Sequence, residues 1–521
     1  MTYARFCSRV GPVREGGIAV DAEVQAQFEV LQRKLVPLWR SIQVLNQDPQ
    51  TIVVVPSMTL DLPPEAKTPM QSYEERYLFL LLLLRQPRAR LVYVTSQPIL
   101  PSVIEYYLSL LPGVIPSHAR ARLFPVAVLD GTSRALTAKL LERPRLLQRI
   151  RDLVPDPDRA HLLTYTTTEL ERDLAVALGI PMYGADPRHF PLGTKSGARR
   201  LFDEEMVPHP LGVENLTSVD GVVDAIVALR RRKPTIGQML VKLNEGVSGE
   251  GNALVDLGSV PIPGEPGERD AVAAAVQTMR FELEDATFPG YTAKLAERGG
   301  VIEERIVGTD FTSPSVQLRV TPLGDVEVLS THDQLLGGAS GQSYLGCIFP
   351  ADPQYATEIT HHAAKVGTRL AREGVIGRFA LDFVAVRNAA GQYETHAIEI
   401  NLRKGGTTHP FLTLQFLTDG TYDPDTATFT SPSGQHKFFV ASDHVESPLY
   451  RQLTPDDLFD IVVRHGLHFD QSRQTGVVFH MLASLTERGH FGMTAVGDSP
   501  QEARATYERA IEILTSEAAL T

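Results

Sequence analysis

Residues 238–257 read QMLVKLNEGVSGEGNALVDL. The first six alternate, with Met239, Val241 and Leu243 on one face and Gln238 and Lys242 on the other, which predicts a half-buried strand. Residues 252–257 form a second short apolar run and a second expected strand. Between them, NEGVSGEG places Gly246, Gly249 and Gly251 within six residues. Glycine lets a backbone turn tightly and approach a ligand closely, and successive N–H groups in such a loop can donate to phosphate oxygens. Lys242 adds a point charge from the strand that feeds the loop. Dinucleotide fingerprints and Walker loops run from a strand into a helix. Here a strand follows the glycines, which fits a flap folded over a nucleotide. A Gly-rich hairpin without a ligand has the same pattern, so this stretch alone leaves both readings open.

A second stretch carries chemistry. RFALDFVAV (378–386) and YETHAIEIN (393–401) flank RNAAGQ, the pattern of a β-hairpin. With the turn centred on Ala389–Ala390, Asp382 faces Ala397 and Leu381 faces Ile398. Leu381, Phe383, Ile398 and Ile400 then share an apolar face, and Asp382, Glu399 and Asn401 share the other. Two carboxylates and an amide oxygen form a hard oxygen site, suited to Mg²⁺ or Mn²⁺ rather than zinc. Carboxylates that share a site repel, and a divalent cation removes that penalty. A solvated polar sheet face is the plain alternative. Against it stand Arg403, Lys404, Gly405 and Gly406 in the following LRKGGTTHPF, which put cations and a flexible backbone beside the carboxylates.

The remaining sequence bounds these sites. A chain of 521 residues holds roughly three domains. A net charge of −12 argues against a general nucleic-acid binder, which would show a basic surface. Cys7 and Cys347 are too few and too far apart for a disulfide framework or a Cys/His metal pattern. MTYARFCSRVGPVREGG lacks an apolar h-region, so no secretory signal is expected. The longest apolar run, 78–84, falls short of the about 20 residues that span a bilayer.

Residues 51–185 read as α/β, with strands buried in a parallel sheet expected at 51–56 and 91–95 and further short strands at 161–165 and 180–183. Helices are expected at 72–85, with a capping box from Ser72 to Glu75, and at 103–111. Ser57, Thr95 and Ser96 fall at strand ends, where turn capping is the leading reading. LGTKS (192–196) lacks the spacing of a Walker loop, and Lys195 instead opens a helix. The strand 301–307 sends Glu303 and Glu304 to opposite faces. Strands 316–320 and 326–329 pair, with Gln317 and Arg319 on one face. Residues 336–346 are a substrate loop or a connector.

In order, the chain offers a lysine before a helix, a lysine strand, a Gly-rich flap, a paired-Glu strand and a D…E-x-N hairpin. This resembles the ATP-grasp superfamily and, more closely, the pheganomycin-type peptide ligases. The resemblance runs through YEERYL, YVTS, LTAKLLERPRL, LGIPMYGADP, LGTKSGARRLF, VKLNEGVSGEGNA, EINLRKGGTTHP and TGVVFHML, from about residue 51 onward. It implies an ATP-dependent carboxylate–amine ligase that forms an amide through an acyl phosphate, releasing ADP and phosphate. By the resemblance, Lys195 and Lys242 contact the ATP phosphates, Gly246, Ser248, Gly249 and Gly251 form the flap, and Glu303, Glu304 and Ile306 line the adenosine pocket. Asp382, Glu399 and Asn401 hold Mg²⁺ (or Mn²⁺), and Arg319 and Arg403 steady the transferred phosphoryl group or the carboxylate. Many members carry an arginine two residues before the metal aspartate. Here Ala380 stands there, so the oxyanion role falls to Arg319, Arg378 or Arg403. His332 and His409 are candidate general bases.

The implied fold class is α/β, with α+β character in the catalytic part. A lead-in helix (1–50) precedes a pre-ATP-grasp α/β domain (51–190), an ATP-grasp domain (191–418, flap about 210–300) and a small α+β C-terminal domain (419–521). Small-molecule or peptide acids and amines are the expected partners, with no nucleic acid and no membrane, in a cytoplasmic protein for which a homodimer is open. Two other readings stand beside the ligase: a nucleotide-binding module without catalysis, and a phosphotransferase acting on a non-carboxylate acceptor.

Overall fold

The computed structural model describes residues 17–43, 49–59, 70–246, 251–283, 285–337 and 343–520. The apolar runs of the first part form a parallel sheet of β1 (Gln50–Val55), β2 (Ala89–Thr95), β3 (Leu123–Ala127) and β4 (Ala160–Thr164), in the order β3-β2-β1-β4. Val53, Val55, Val92 and Val94 face one core and Ile52, Val54, Leu91 and Tyr93 another. Both faces are covered, which is why these strands read as continuous apolar runs. The expected strand at 180–183 is a single bridge from Met182 to Leu162, since Pro181 has no N–H for a ladder.

The expected continuous helix at 72–85 is corrected. A short helix, Met70–Glu75, is followed by a 3₁₀ segment, Leu78–Arg85, in which Leu78–Leu82 and Leu84 are all buried. Burial of nearly the whole run fits its being apolar all round. Ser72 lies inside the first helix and caps nothing, and the Glu75 carboxylate accepts from the Ala483 N–H at 2.8 Å.

Helix α1 (Lys195–Glu204) leads into a separate five-stranded antiparallel sheet. Its strands are β5 (Gly212–Leu216), β6 (Gln238–Leu243), β7 (Asn252–Asp256), β8 (Arg280–Phe281) and β9 (Gly300–Glu304), in the order β5-β9-β6-β7-β8. Met239, Val241 and Leu243 are buried in its core with Ile226, Val255, Val272 and Ile302. β6 and β7 form the expected hairpin around the Gly-rich loop.

The catalytic part is a nine-stranded sheet. β10 (Thr309–Thr312), β11 (Pro314–Val320), β12 (Val326–Gly337), β13 (Ser343–Phe349), β14 (Gly377–Arg387) and β15 (Tyr393–Asn401) precede helix α2 (Thr408–Thr418). β16 (Thr421–Asp423) and β17 (Thr428–Thr430) make a small separate hairpin. β18 (Phe438–Glu446), β19 (Gly476–His480) and β20 (His490–Gly497) then rejoin the large sheet, because β18 pairs with β13. The tail therefore extends the catalytic sheet. The expected loop at 336–346 is the end of the β12–β13 hairpin, and 338–342 lie outside the described residues. Among the described residues, no helix is long and apolar enough to cross a membrane.

Candidate active site

β14 and β15 set the carboxylates side by side. Asp382 pairs with Glu399, Leu381 with Ile400 and Ala380 with Asn401, whereas Phe383 pairs with Ala397. The expected register, Asp382 against Ala397, is thus corrected. The turn lies one residue later, with Gly391 at φ +77°, and a bulge falls between Asp382 and Phe383. Ile398 is the extra residue and is only half-buried, while Leu381, Phe383, Ala397 and Ile400 are buried. A bulge inserts one residue and re-aims its neighbours. The shared polar face of Asp382, Glu399 and Asn401 survives because the shift at their end of the hairpin is an even number of residues.

The Asn401 amide ties the pair together, with Nδ2 donating to Asp382 Oδ2 at 2.9 Å and to Glu399 Oε1 at 2.8 Å. With both N–H groups used, its carbonyl oxygen is the atom left to a ligand. The other Asp382 oxygen accepts from Gln334 Nε2 at 2.9 Å, and the Ser315 hydroxyl adds a further bond. Burial, then the Glu399 charge, pushes the Asp382 carboxyl up. Burial acts on Glu399 in the same sense, but the Lys195 ammonium and the Asn401 amide outweigh it and hold Glu399 low. One carboxylate resisting ionisation beside an ionised partner is the condition a divalent cation relieves. The oxygen-only donor set fits Mg²⁺.

Both expected lysines converge here. Lys195 forms an ion pair with Glu399. Lys242 forms one with Glu303, and its charge also reaches Glu399. Glu303, 2% exposed, is held on its other side by Arg199 Nη1 at 3.2 Å. Its carboxylate is therefore the counter-ion that fixes Lys242. Glu304 turns the other way, accepting from the Leu211 N–H at 3.1 Å and pairing with Lys233 at 2.5 Å. Ile306 is half-buried just beyond β9. The ends of the flap meet, since a Cβ on Gly246 would sit 3.3 Å from the Gly251 nitrogen. Ser248 and Gly249 lie outside the described residues.

Asn244, absent from the sequence-derived candidates, joins the two lysine elements. Its Oδ1 accepts from the Ser196 N–H at 3.0 Å and from Ser196 Oγ at 2.7 Å, and its Nδ2 donates to the Arg298 carbonyl at 3.0 Å. Its own carbonyl accepts from the Lys195 N–H at 3.2 Å. The signal for Arg199 was available, because it stands one helical turn after Lys195 on the same face.

Among the arginine candidates, Arg403 stands within electrostatic reach of Asp382. It donates to its neighbour's carbonyl at 3.2 Å, stands over the Tyr165 ring at 5.9 Å, and its charge acts on Asp382. Arg319 does not join them. Four residues separate it from Ser315, the β11 partner of Asp382, a span of about 13 Å along a strand. Its guanidinium is paired with Glu327 at 2.8 Å and lies 5.1 Å over Trp39. Arg378 sits near Arg319, Tyr183 and Tyr77 without an ion-pair partner among the described residues. Burial and Arg319 lower its pKa to about 10. Neither candidate base faces the carboxylates. His332 is fully buried against Phe349, Phe411 and Phe439 and bonded to Ser330 at 2.8 Å, with burial pushing it down to about 3. His409 is buried against His480 and Asp443.

Residues 269–425, which contain the whole carboxylate hairpin, match the family described as IQCH-like, ATP-grasp. This segment is similar to an ATP-grasp domain. Residues 457–510 match a second family, the PGM1 C-terminal domain. The chain is 28% identical over 450 residues to the L-propargylglycine–L-glutamate ligase of Streptantibioticus cattleyicolor, covering 84% of this chain and 88% of that protein. It is 26% identical over 546 residues to IQ motif-containing protein H of Danio rerio, covering 94% of this chain but 50% of that protein, so it spans half of that relative. Among solved structures, the biotin carboxylase domain of the Hydrogenobacter thermophilus 2-oxoglutarate carboxylase has a TM-score of 0.52 at 12% identity, over 89% of each chain. Campylobacter jejuni biotin carboxylase has a TM-score of 0.51 at 11% identity, over 91% of this chain and 95% of that one. Both share the fold of this chain.

Proposed function

We propose that this chain is an ATP-dependent ligase that joins a small-molecule or peptide carboxylate to an amine. The observation that carries the proposal is the continuous chain of contacts from Lys195 to Glu399, Asn401 and Asp382, with Lys242 held beside it by Glu303. When bound, Mg-ATP supplies the phosphoryl group that activates a carboxylate for attack by an amine, with release of ADP and phosphate. Asp382, Glu399 and the Asn401 carbonyl would hold the metal ion, for which Mn²⁺ offers a similar oxygen preference. Lys195 and Lys242 are each held near the site by an anion, so their charges are in place before substrate arrives. Arg403 offers positive charge to the carboxylate under transfer, and Lys242 shares that electrostatic work. Gly246, Ser248, Gly249 and Gly251 would close over the phosphates, and Glu304 and Ile306 would border the adenosine. The relative named for two amino acids supports substrates of that size.

The same reading takes 51–190, 191–418 and 419–521 as working units and expects a cytoplasmic protein, with size-exclusion light scattering reading out a homodimer. The test of function is ADP release from Mg-ATP with pooled amino acids and short peptides, followed by mass spectrometry. The expected product has the mass of acid plus amine minus water. A stable phosphorylated product with no amide would show a phosphotransferase instead, and nucleotide binding without ADP in every pool would show a non-catalytic module.

A further inference from the structure

Away from the carboxylate hairpin, His409, Asp443 and His480 place three ligand atoms within 4.8 Å of one another. His409 Nε2 lies 2.9 Å from His480 Nε2 and 3.1 Å from Asp443 Oδ1, and His480 Nε2 lies 2.9 Å from the same oxygen. The three residues are 3%, 4% and 2% exposed for His409, His480 and Asp443. The imidazoles meet edge-on, 65° apart.

Each element is shaped to produce this convergence. His409 lies in the first turn of α2, directly after the loop that carries Arg403. Asp443 falls at a register shift of β18 against β20, between Ser442 and Val445, where a bulge re-aims a side chain. His480 ends β19 opposite Gly492, and a Cβ at 492 would lie 2.1 Å from His480 Nε2. Glycine there is what makes room for the ring. The second Asp443 oxygen accepts from Arg76 at 2.6 Å, which orients the carboxylate and leaves Oδ1 toward the imidazoles.

Protons alone serve this triangle poorly. A neutral imidazole has one N–H. If both Nε2 atoms are protonated, two N–H groups crowd at 2.9 Å. If one is bare, its lone pair faces the Asp443 oxygen. A cation at the common focus removes the conflict. An ion about 1.2 Å above the plane of three atoms spaced about 3 Å apart reaches each at about 2.1 Å, the length of Zn–N and Zn–O bonds. Two imidazoles and one carboxylate favour a transition metal over Mg²⁺.

We propose that His409, Asp443 and His480 bind one divalent transition-metal ion of the zinc type, at a site separate from the Mg²⁺ carboxylates. The ion fastens α2, and with it the loop carrying Arg403, to the tail strands β18 and β19. The competing arrangement has both imidazoles donating to Asp443 Oδ1. It agrees with the unpartnered His409 Nδ1 and is the one an experiment must exclude.

The experiment titrates chelator-treated full-length protein with Co²⁺ alone and follows its visible ligand-field bands. One equivalent is expected in the wild type and in Asp382→Asn, displaced by Zn²⁺ but not by excess Mg²⁺. His480→Gln and Asp443→Asn should lose it, with folding checked by circular dichroism. Should both variants fail to fold, equilibrium dialysis of the wild type against Zn²⁺ still decides. No bound ion at micromolar Zn²⁺ overturns the proposal, as does Co²⁺ retained in folded His480→Gln or lost in Asp382→Asn.

Discussion

At Asp382, function and stability pull in opposite directions. Burial and the Glu399 charge make its ionised form unfavourable in the folded protein, yet an ionised carboxylate is what a metal ion requires. The folded pKa is raised, so the group costs stability above its ordinary carboxylate range, and that cost disappears on protonation. Asp382→Asn keeps the shape and removes the charge. Two results are expected together. ADP release with Mg-ATP and a productive substrate pair falls on the order of 10²–10³-fold, the scale of losing one preorganised electrostatic contact. The metal-free variant nevertheless melts at a higher temperature than metal-free wild type at pH 8. Full turnover in the variant would remove Asp382 from the metal site, and a lower melting temperature would mean that its hydrogen bonds to Asn401 and Gln334 outweigh the repulsion.

Between elements, the decisive joint is Asn244. It stands where β6 ends, and its side chain grips the start of α1 through Ser196. Lys242 and Lys195 therefore keep a fixed relation across two elements that are distant in sequence. Asn244→Ala takes away the acceptor of the Ser196 N–H and hydroxyl, where each lost partner costs about 1–3 kcal/mol. The expected outcome is a folded protein with more than about tenfold weaker kcat/KM for ATP, since small misplacements of positioning groups have effects of this size. Nucleotide kinetics beside circular dichroism check it, and unchanged kinetics in a folded variant would dismiss the joint. This is also where sequence reading stopped. The alternation of Met239, Val241 and Leu243 made β6 legible, and the D…E-x-N pattern made the carboxylate face legible. The register was misread because the bulge at Ile398 leaves no mark in an apolar–polar alternation. The capture of Glu303 by Arg199, and of Ser196 by Asn244, depends on tertiary contacts spanning 104 and 48 residues, which local patterns do not encode.

Across the whole molecule, the parallel sheet and the catalytic sheet meet at a seam lined by buried basic groups. Lys404, beside Arg403, reaches across to the Thr164 carbonyl of β4 at 2.5 Å, and His161 of the same strand lies within range of its charge. Burial, then Arg378, lowers Lys404 to about 7, and burial, then Lys404, lowers His161 to about 4. Both folded values lie below the ordinary ones, so the folded state binds fewer protons than the unfolded chain. Stability from these groups therefore falls as pH falls, for Lys404 from its ordinary value near 10.5 to about 7 and for His161 from near 6.5 to about 4. Full protonation of His161 costs of the order of 3 kcal/mol by the usual conversion of a pKa shift. Urea unfolding at pH 6.5 and pH 4 should accordingly show wild type losing more stability than His161→Gln, which does not titrate. Lys404→Met should lose somewhat less than wild type in that interval, because it removes the charge that helps hold His161 low, and should differ from wild type in slope between pH 7 and 10. The two windows do not overlap, so each substitution flattens its own part of the curve. Parallel stability–pH curves for wild type and His161→Gln would mean that the seam already admits water to the imidazole, and that the two sheets are held together by their apolar contacts alone.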